Sequence, residues 1–219
     1  MDLPIIIVNF KLYENAVGEA AVGLAKIHQK VAKETGAQIA VAVNALDVVR
    51  VAQSVDIPVF AQHLDPVGYG SHTGHINPEV LKKAGVYGTL LNHAERTLPD
   101  NVLIASIDAA KAAGLFVVVC VDTPEKGACF TECDLDLIAV EPPALIGGDI
   151  SVSKAEAEIV RGAVEMIGRG KVLVGAGIKD REDVSLSLEL GASGVLLASG
   201  VTKAEDPYAV LMDLVAGLS

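Results

Sequence analysis

The sequence predicts a closed (β/α)₈ barrel formed by a single domain over residues 1–219, and three observations support this prediction. Eight short apolar runs rich in β-branched residues recur along the chain, and segments with helical periodicity separate most of them. None of the runs alternates cleanly between apolar and polar residues, which is typical of parallel strands buried on both faces. Eight strand–helix units without a linker or a break in composition favour closure into a barrel.

The elements follow one another in a regular order. The predicted strands are IIIV (5–8), IAVAV (39–43), PVFAQ (58–62), GTLLN (88–92), FVVVCV (116–121), LIAV (137–140), KVLVG (171–175) and GVLLA (194–198). Helical segments are predicted at 15–36, 101–114, 154–170 and 181–191, and several end in glycine, a common residue just after a helix. The connections 44–57, 122–136 and 179–193 are short. A doubly wound open sheet is the weaker alternative, because no GxGxxG motif follows the first strand.

Composition and charge restrict the classes of partner. The chain is 51% hydrophobic and carries a formal net charge of −11, which disfavours nonspecific binding to nucleic acid or to anionic membranes. The cysteines Cys120, Cys129 and Cys133 are too few for a disulfide framework and fit a reducing compartment. The first apolar run is too short for an export signal or a membrane span. We therefore expect a cytoplasmic protein without nucleic-acid or membrane partners.

Polar residues gather after the predicted strands, and no comparable set precedes them. Chemistry in such barrels lies at the carboxyl ends of the strands. A single polar residue there is more often a cap or a turn residue than a catalyst, but convergence from separate strands favours a site. The residues in these positions are Asn9, Lys11, Gln62, His63, Asn92, His93, Glu95, Asp122 and Glu141.

Three of these positions carry the strongest chemical signal. Lys11 lies two residues after Asn9, so both side chains should face the mouth of the barrel. His93 lies at the start of a predicted helical stretch, where the positive end of the helix favours a neutral imidazole. Glu141 precedes Pro142, which keeps it extended at the end of an apolar strand. A carboxylate in that position needs a partner or a function.

Small residues follow the last two strands, and their pairing favours phosphate binding. GAG (175–177) and ASG (198–200) would present backbone N–H groups at neighbouring strand ends, where barrels commonly bind phosphate. Each motif taken alone is equally consistent with a tight turn. The segment 62–75 holds His63, Asp65, His72 and His75, but their spacing fits no firm zinc pattern, so no metal site is expected.

Five motifs resemble those of the triosephosphate isomerase family in its short archaeal form. They are NFK (9–11), NHAER (92–96), VEPPALIGGD (140–149), GAGI (175–178) and GASGVLLASGV (191–201), and together they cover nearly the whole chain in order. The resemblance implies a TIM barrel that acts without a cofactor. It implies an intramolecular oxidoreductase that interconverts dihydroxyacetone phosphate and D-glyceraldehyde 3-phosphate through an enediolate, in glycolysis and gluconeogenesis.

The resemblance also implies roles for individual residues. Glu141 would be the base that moves the proton, and a neutral His93 would polarise the carbonyl. Lys11 would stabilise the oxyanion, with Glu95 close to it. Segment 142–148 would form a lid over the phosphate. The implied substrate contacts are Asn9, Phe10, Lys11, Ile146, Gly147, Gly177, Ala198 and Ser199.

The chain also departs from the family pattern. Ala94 stands where most members have a serine that contacts the catalytic glutamate, Ala144 replaces a larger lid residue, and GGD (147–149) replaces the usual rear hinge. The short segment 122–136 matches archaeal members, which implies a homotetramer, with a dimer as the alternative. Two other functions remain open at this point: a non-catalytic phosphate-sugar-binding barrel, and another phosphate-binding barrel enzyme such as an epimerase.

Overall fold

Eight parallel strands close into one barrel in the order of the chain, with the last strand paired to the first. The computed structural model describes residues 2–142 and 154–218. All strand residues are buried except the first residues of the second and fifth strands, as the unbroken apolar runs predict. The strands are β1 Ile5–Asn9, β2 Gln38–Val43, β3 Val59–Ala61, β4 Gly88–Leu91, β5 Phe116–Val121, β6 Leu137–Val140, β7 Val172–Val174 and β8 Gly194–Leu197.

Helices occupy the connections between the strands. They are a 3₁₀ helix at Glu14–Ala16, then α1 Glu19–Thr35, α2 Val48–Ala52, α3 Pro78–Lys83, α4 Asp100–Ala112, α5 Pro124–Ala128, α6 Lys154–Ile167, α7 Arg181–Glu189, α8 Ser199–Thr202 and α9 Pro207–Ala216. The predicted helical segments correspond to α1, α4, α6 and α7. No helix within 2–142 and 154–218 is long and apolar enough to cross a membrane.

The sequence did not lead us to predict α2, α3, α5, α8 or α9, although α3, α5 and α9 carry clear start signals. The side chain of Asn77 accepts a hydrogen bond from the N–H of Val80, and Pro78 opens α3. Asp206 and Pro207 begin α9 in the same way. A capping side chain followed by proline at the first helical position is a recognised helix start, so this signal was available in the sequence.

In strand β1, the alternation of side chains between the two faces supplies both the core and the mouth of the barrel. Ile5 and Ile7 point into the barrel, where they pack with inward residues of the other strands. Ile6 and Val8 point outward into the layer between strands and helices. Because side chains alternate along a strand, Asn9 continues the inward row and reaches the carboxyl-terminal mouth.

Candidate active site

Two adjoining cavities open at the carboxyl-terminal mouth, where the polar strand ends were predicted to converge. The first, of about 490 Å³, is lined by residues that follow β1, β4, β6, β7 and β8. The second, of about 550 Å³, extends over the ends of β2 and β3. Both cavities are lined by Asn9, Lys11, Tyr13, His93 and Glu95. Polar side chains from separate strands therefore lie together at the mouth of the barrel.

Lys11 is held at the mouth in a left-handed backbone conformation, with φ of 49°. This conformation is unfavourable for a lysine and persists only where surrounding contacts impose it. Its N–H donates to Asn9 Oδ1 at 3.0 Å. The side-chain amide of Gln62 donates to the same Oδ1 at 3.0 Å and to the Lys11 carbonyl at 3.2 Å. Gln62 thus fixes the lysine turn from β3, a role that sequence reasoning did not assign to it.

The Lys11 ammonium is paired with a carboxylate at the cavity wall. Its Nζ lies 2.8 Å from Glu95 Oε1, and the lysine side chain is largely buried whereas that of Glu95 is exposed. The pair therefore joins the turn after β1 to the segment after β4, and it keeps a positive charge beside His93 and Glu141.

His93 is buried, and its surroundings favour the neutral ring. Nδ1 accepts the N–H of Glu95 at 3.1 Å, so we assign the ring proton to Nε2. Burial lowers the pKa of His93 first, the Lys11 charge lowers it further, and the Glu95 carboxylate opposes both. The direction agrees with the neutral imidazole that we expected, but the expected cause is wrong. The helix begins at Asp100 and not at His93, because residues 94–96 form turns.

Glu141 is a nearly buried carboxylate, 4% exposed, directly after β6. Its N–H donates to the Val121 carbonyl at 2.7 Å, which continues the sheet pairing past the strand end. Burial raises the pKa of Glu141 to about 7, although the charge of Lys11 opposes this rise. The Glu95 carboxylate raises the pKa further. Hydrogen bonds from the Cys120 thiol and the Ala94 backbone N–H lower it more weakly. A carboxyl with this pKa can take up and release protons near neutrality.

Glu141 and His93 lie close together in the lining of the first cavity. Glu141 Oε1 lies 3.6 Å from His93 Nε2. Glu141 Oε2 has no hydrogen-bond partner within the described part of the chain. Position 94, where an alanine replaces the usual serine of the family pattern, offers no side-chain hydroxyl to this oxygen. A substrate that contacts both groups would meet a base at one atom and a neutral N–H donor at a neighbouring atom.

The two small-residue motifs lie side by side, as the sequence predicted. Residues 175–179 after β7 and 198–200 after β8 line the same cavity as Glu141. Gly177 adopts φ of 77°, in the left-handed region that glycine tolerates, and α8 begins at Ser199. The first N–H groups of a helix have no acceptor within it, so the end of this cavity suits an anion.

Some predicted residues lie elsewhere. The Phe10 side chain is fully buried on the outer face of β1, and its ring centroid lies 5.3 Å from that of His28. The interpretation of Phe10 as a substrate contact is therefore wrong for its side chain, because alternation directs it away from the cavity. Ile146, Gly147, Ala144 and GGD (147–149) lie outside the described residues, as does most of the expected lid.

The histidines of segment 62–75 form no metal cluster. His63 Nε2 lies 3.2 Å from Asp65 Oδ1, and Asp65 Oδ2 accepts the N–H of Ile76 at 2.7 Å, so this carboxylate closes the loop. His72 and His75 are exposed. Across residues 2–142 and 154–218, no group of three or more His, Cys, Asp or Glu side chains is arranged to hold a metal ion.

Comparison with known proteins gives one consistent result. The family model for triosephosphate isomerase matches residues 4–217. A triosephosphate isomerase of Methanosarcina acetivorans is 46% identical over 219 residues, covering 98% of this chain and 99% of that protein. One from Pyrobaculum calidifontis is 47% identical over 218 residues, covering 98% and 96%. The crystal structure of the Bartonella henselae triosephosphate isomerase, 22% identical, matches the fold with a TM-score of 0.73 over 95% of this chain and 97% of that one.

Proposed function

The chain belongs to the triosephosphate isomerase family, and on that premise we propose that its mouth cavity interconverts dihydroxyacetone phosphate and D-glyceraldehyde 3-phosphate. The observation that carries the proposal is the pair formed by Glu141, whose pKa burial raises to about 7, and a neutral His93 at 3.6 Å. This pair lies in a cavity that also reaches both small-residue motifs. A non-catalytic sugar-phosphate binder or an epimerase is not favoured by the family membership.

In the proposed reaction Glu141 carries a proton between adjacent carbons. The carboxylate removes a proton from the hydroxyl-bearing carbon of dihydroxyacetone phosphate. The electron pair of that C–H bond enters the carbon–carbon bond, and the carbonyl oxygen takes the negative charge, which gives an enediolate. Glu141 then returns the proton to the neighbouring carbon, which yields the aldehyde. A carboxyl with a pKa near the working pH serves both directions.

His93 and Lys11 would stabilise the charge that develops on oxygen. The Nε2–H of His93 donates to one oxygen and takes a proton back from the other as the enediolate rearranges. The Lys11 ammonium, fixed by the turn that Asn9 and Gln62 impose, offers a positive charge that needs no rearrangement during the reaction. Glu95 positions this ammonium through their 2.8 Å ion pair.

The phosphate would occupy the end of the cavity formed by the two motifs. Gly177, Ala198 and Ser199 line it, and they contribute backbone groups that suit a dianion. Segment 142–148, with Ile146 and Gly147, is proposed to close over the phosphate. Closure would exclude water and strengthen the electrostatic contacts inside.

The proposal includes a cytoplasmic, single-domain protein that acts in glycolysis and gluconeogenesis and assembles into a homotetramer, with a dimer as the alternative. Exposed apolar side chains support assembly: Leu12, which lines the second cavity, is 76% exposed, and Leu46, which follows the lining residue Ala45, is 92% exposed. Exposed apolar residues grouped at one edge favour contact with another protein surface. The net charge of −11 disfavours nucleic-acid partners.

A coupled assay with glyceraldehyde 3-phosphate as the substrate and EDTA present tests the proposal. We expect turnover in the wild-type chain, and a fall of about 10³-fold or more in Glu141→Gln, because general-base catalysis contributes roughly 10² to 10⁴-fold. Triose phosphate should still bind to this variant, since the phosphate end of the cavity is unchanged. Full activity of Glu141→Gln would contradict the assigned base, and no wild-type turnover would favour a binding function.

A further inference from the structure

We propose that Asp183 is a positioning residue that holds the phosphate-binding turn after β7 in the shape that the substrate needs. The inference rests on the proposed function, because it assigns the phosphate to this end of the cavity. Sequence reasoning did not single out Asp183. Its place in the structure is unusual for an aspartate at the start of a surface helix, because the residue is only 4% exposed.

The carboxylate of Asp183 is directed backwards, out of its own helix. Its Oδ2 accepts the backbone N–H of Lys179 at 2.9 Å, four residues earlier in the chain. A buried carboxylate is costly unless hydrogen bonds compensate it, so its burial indicates that this bond is formed consistently. The bond fixes the rear end of the turn that leads from β7 to α7.

A capping box accounts for only part of this arrangement, because in that motif the third helical residue bonds back to the N–H of the capping residue, whereas Asp183 reaches one residue further, to Lys179. The helix start is already capped by Asp180, whose Oδ1 accepts the N–H of Asp183 at 3.1 Å. Asp183 donates its own backbone N–H to that cap and uses its side chain elsewhere. Asp180 thus caps the helix, whereas the side chain of Asp183 holds the turn that precedes it.

The turn lies between two backbone anchors. At its front the N–H of Gly175 donates to the Val140 carbonyl at 2.9 Å, next to Glu141. At its rear Lys179 donates to Asp183. Between these anchors Gly177 takes its left-handed conformation and lines the cavity. Loss of the rear anchor would let the turn relax at the phosphate end of the cavity and leave the front anchor beside the base in place.

The test compares Asp183→Ala and Asp183→Asn with a matched control, Asp213→Ala. Asp213 in α9 also accepts a backbone N–H, that of Arg181 at 3.1 Å, but beyond the turn. The readouts are the inhibition constant of inorganic phosphate, the kcat and KM for glyceraldehyde 3-phosphate, and the slow isomerisation of D-glyceraldehyde, which lacks the phosphate. Melting temperatures report whether each variant is folded.

We expect Asp183→Ala to raise KM and the phosphate inhibition constant about tenfold, equal to about 1.4 kcal/mol. The kcat/KM for D-glyceraldehyde should stay within about threefold of wild type, because that substrate makes no phosphate contact. Asp183→Asn should fall in between, since an amide oxygen accepts more weakly than a carboxylate. Asp213→Ala should leave phosphate inhibition unchanged.

Two results would overturn the inference. One is an unchanged phosphate inhibition constant in folded Asp183→Ala, or in Asp183→Asn if the alanine variant does not fold. The other is an equal loss of activity on both substrates, which would indicate a general structural role. Failure of the proposed function would be recognised differently, because the wild-type protein would then show no turnover. In that case the phosphate affinities of the wild type and the Asp183 variants would be compared by calorimetry.

Discussion

Gly175→Ala tests how closely the wall of the cavity fixes the base. Gly175 does not lie in the left-handed region, so a methyl group adds no backbone strain and only space is at stake. That methyl group would overlap Cγ of Glu141 and lie 3.3 Å from its Cδ and 3.1 Å from the Val140 carbonyl oxygen. Non-bonded carbon atoms sit about 3.5 to 4.0 Å apart, so the Glu141 side chain must move by about 1 Å.

A displacement of this size has a calculable effect on the reaction. A misplacement of about 1 Å at a reacting group costs on the order of 10²-fold in rate, which corresponds to about 2.7 kcal/mol of activation free energy. We expect kcat of Gly175→Ala to fall by about that factor while KM for glyceraldehyde 3-phosphate changes less than about threefold. The coupled assay measures both parameters.

The control is Gly23→Ala in α1, where an added methyl group meets nothing within 4 Å. It should leave kcat and KM unchanged and stabilise the helix slightly, because alanine has a higher helix propensity than glycine. If Gly175→Ala kept a kcat within about threefold of wild type, the reasoning would be refuted. A rise in KM alone would also refute it, since the turn would then have moved in place of Glu141.

Three further predictions concern Glu141, its neighbour Ala94 and the buried ring of Phe10. The kcat/KM should fall about tenfold per pH unit below about 7, because Glu141 must be ionised to act and burial raises its pKa to about 7; a flat profile from pH 5 to 8 would contradict this. Ala94→Ser should move that acidic limb to lower pH, since a hydroxyl that donates to the carboxylate favours its charged form; an upward shift would show that no such bond forms. Phe10→Leu should lower the melting temperature and leave KM unchanged, because the ring is buried away from the cavity against His28. A rise in KM without a loss of stability would indicate that the Phe10 side chain does contact the substrate.

The strand ends were predictable because the physical signals there are local. A buried β-branched run followed by a polar residue is visible in the sequence, and Pro142 fixes the conformation of Glu141 from the adjacent position. The pairing of β7 with β8, through Val174 and Val195, follows from closure in chain order. That pairing brings the two small-residue motifs together.

Contacts between distant residues were not predictable in the same way. Gln62 reaches the Lys11 carbonyl across 51 positions of sequence, and only the closed barrel brings them together. For His93 the direction of the pKa shift was right but its origin was not, because burial lowers the pKa most and the charge of Lys11, acting through space from another strand, lowers it further. Asp183 and Asp180 look alike in the sequence, since either one could cap α7, and only burial distinguishes them.

The alternation along β1 also limits how this segment can evolve. Insertion or deletion of one residue within the strand would reverse the orientation of every side chain that follows the change. The amide of Asn9 would turn toward α1, and the ring of Phe10 would enter the cavity, so the position of Lys11 and the packing of Phe10 would be lost in a single event. Length changes in β1 can therefore persist only in steps of two residues, whereas single substitutions remain open at each position. Packing and chemistry together thus restrict how the length of this five-residue strand can change.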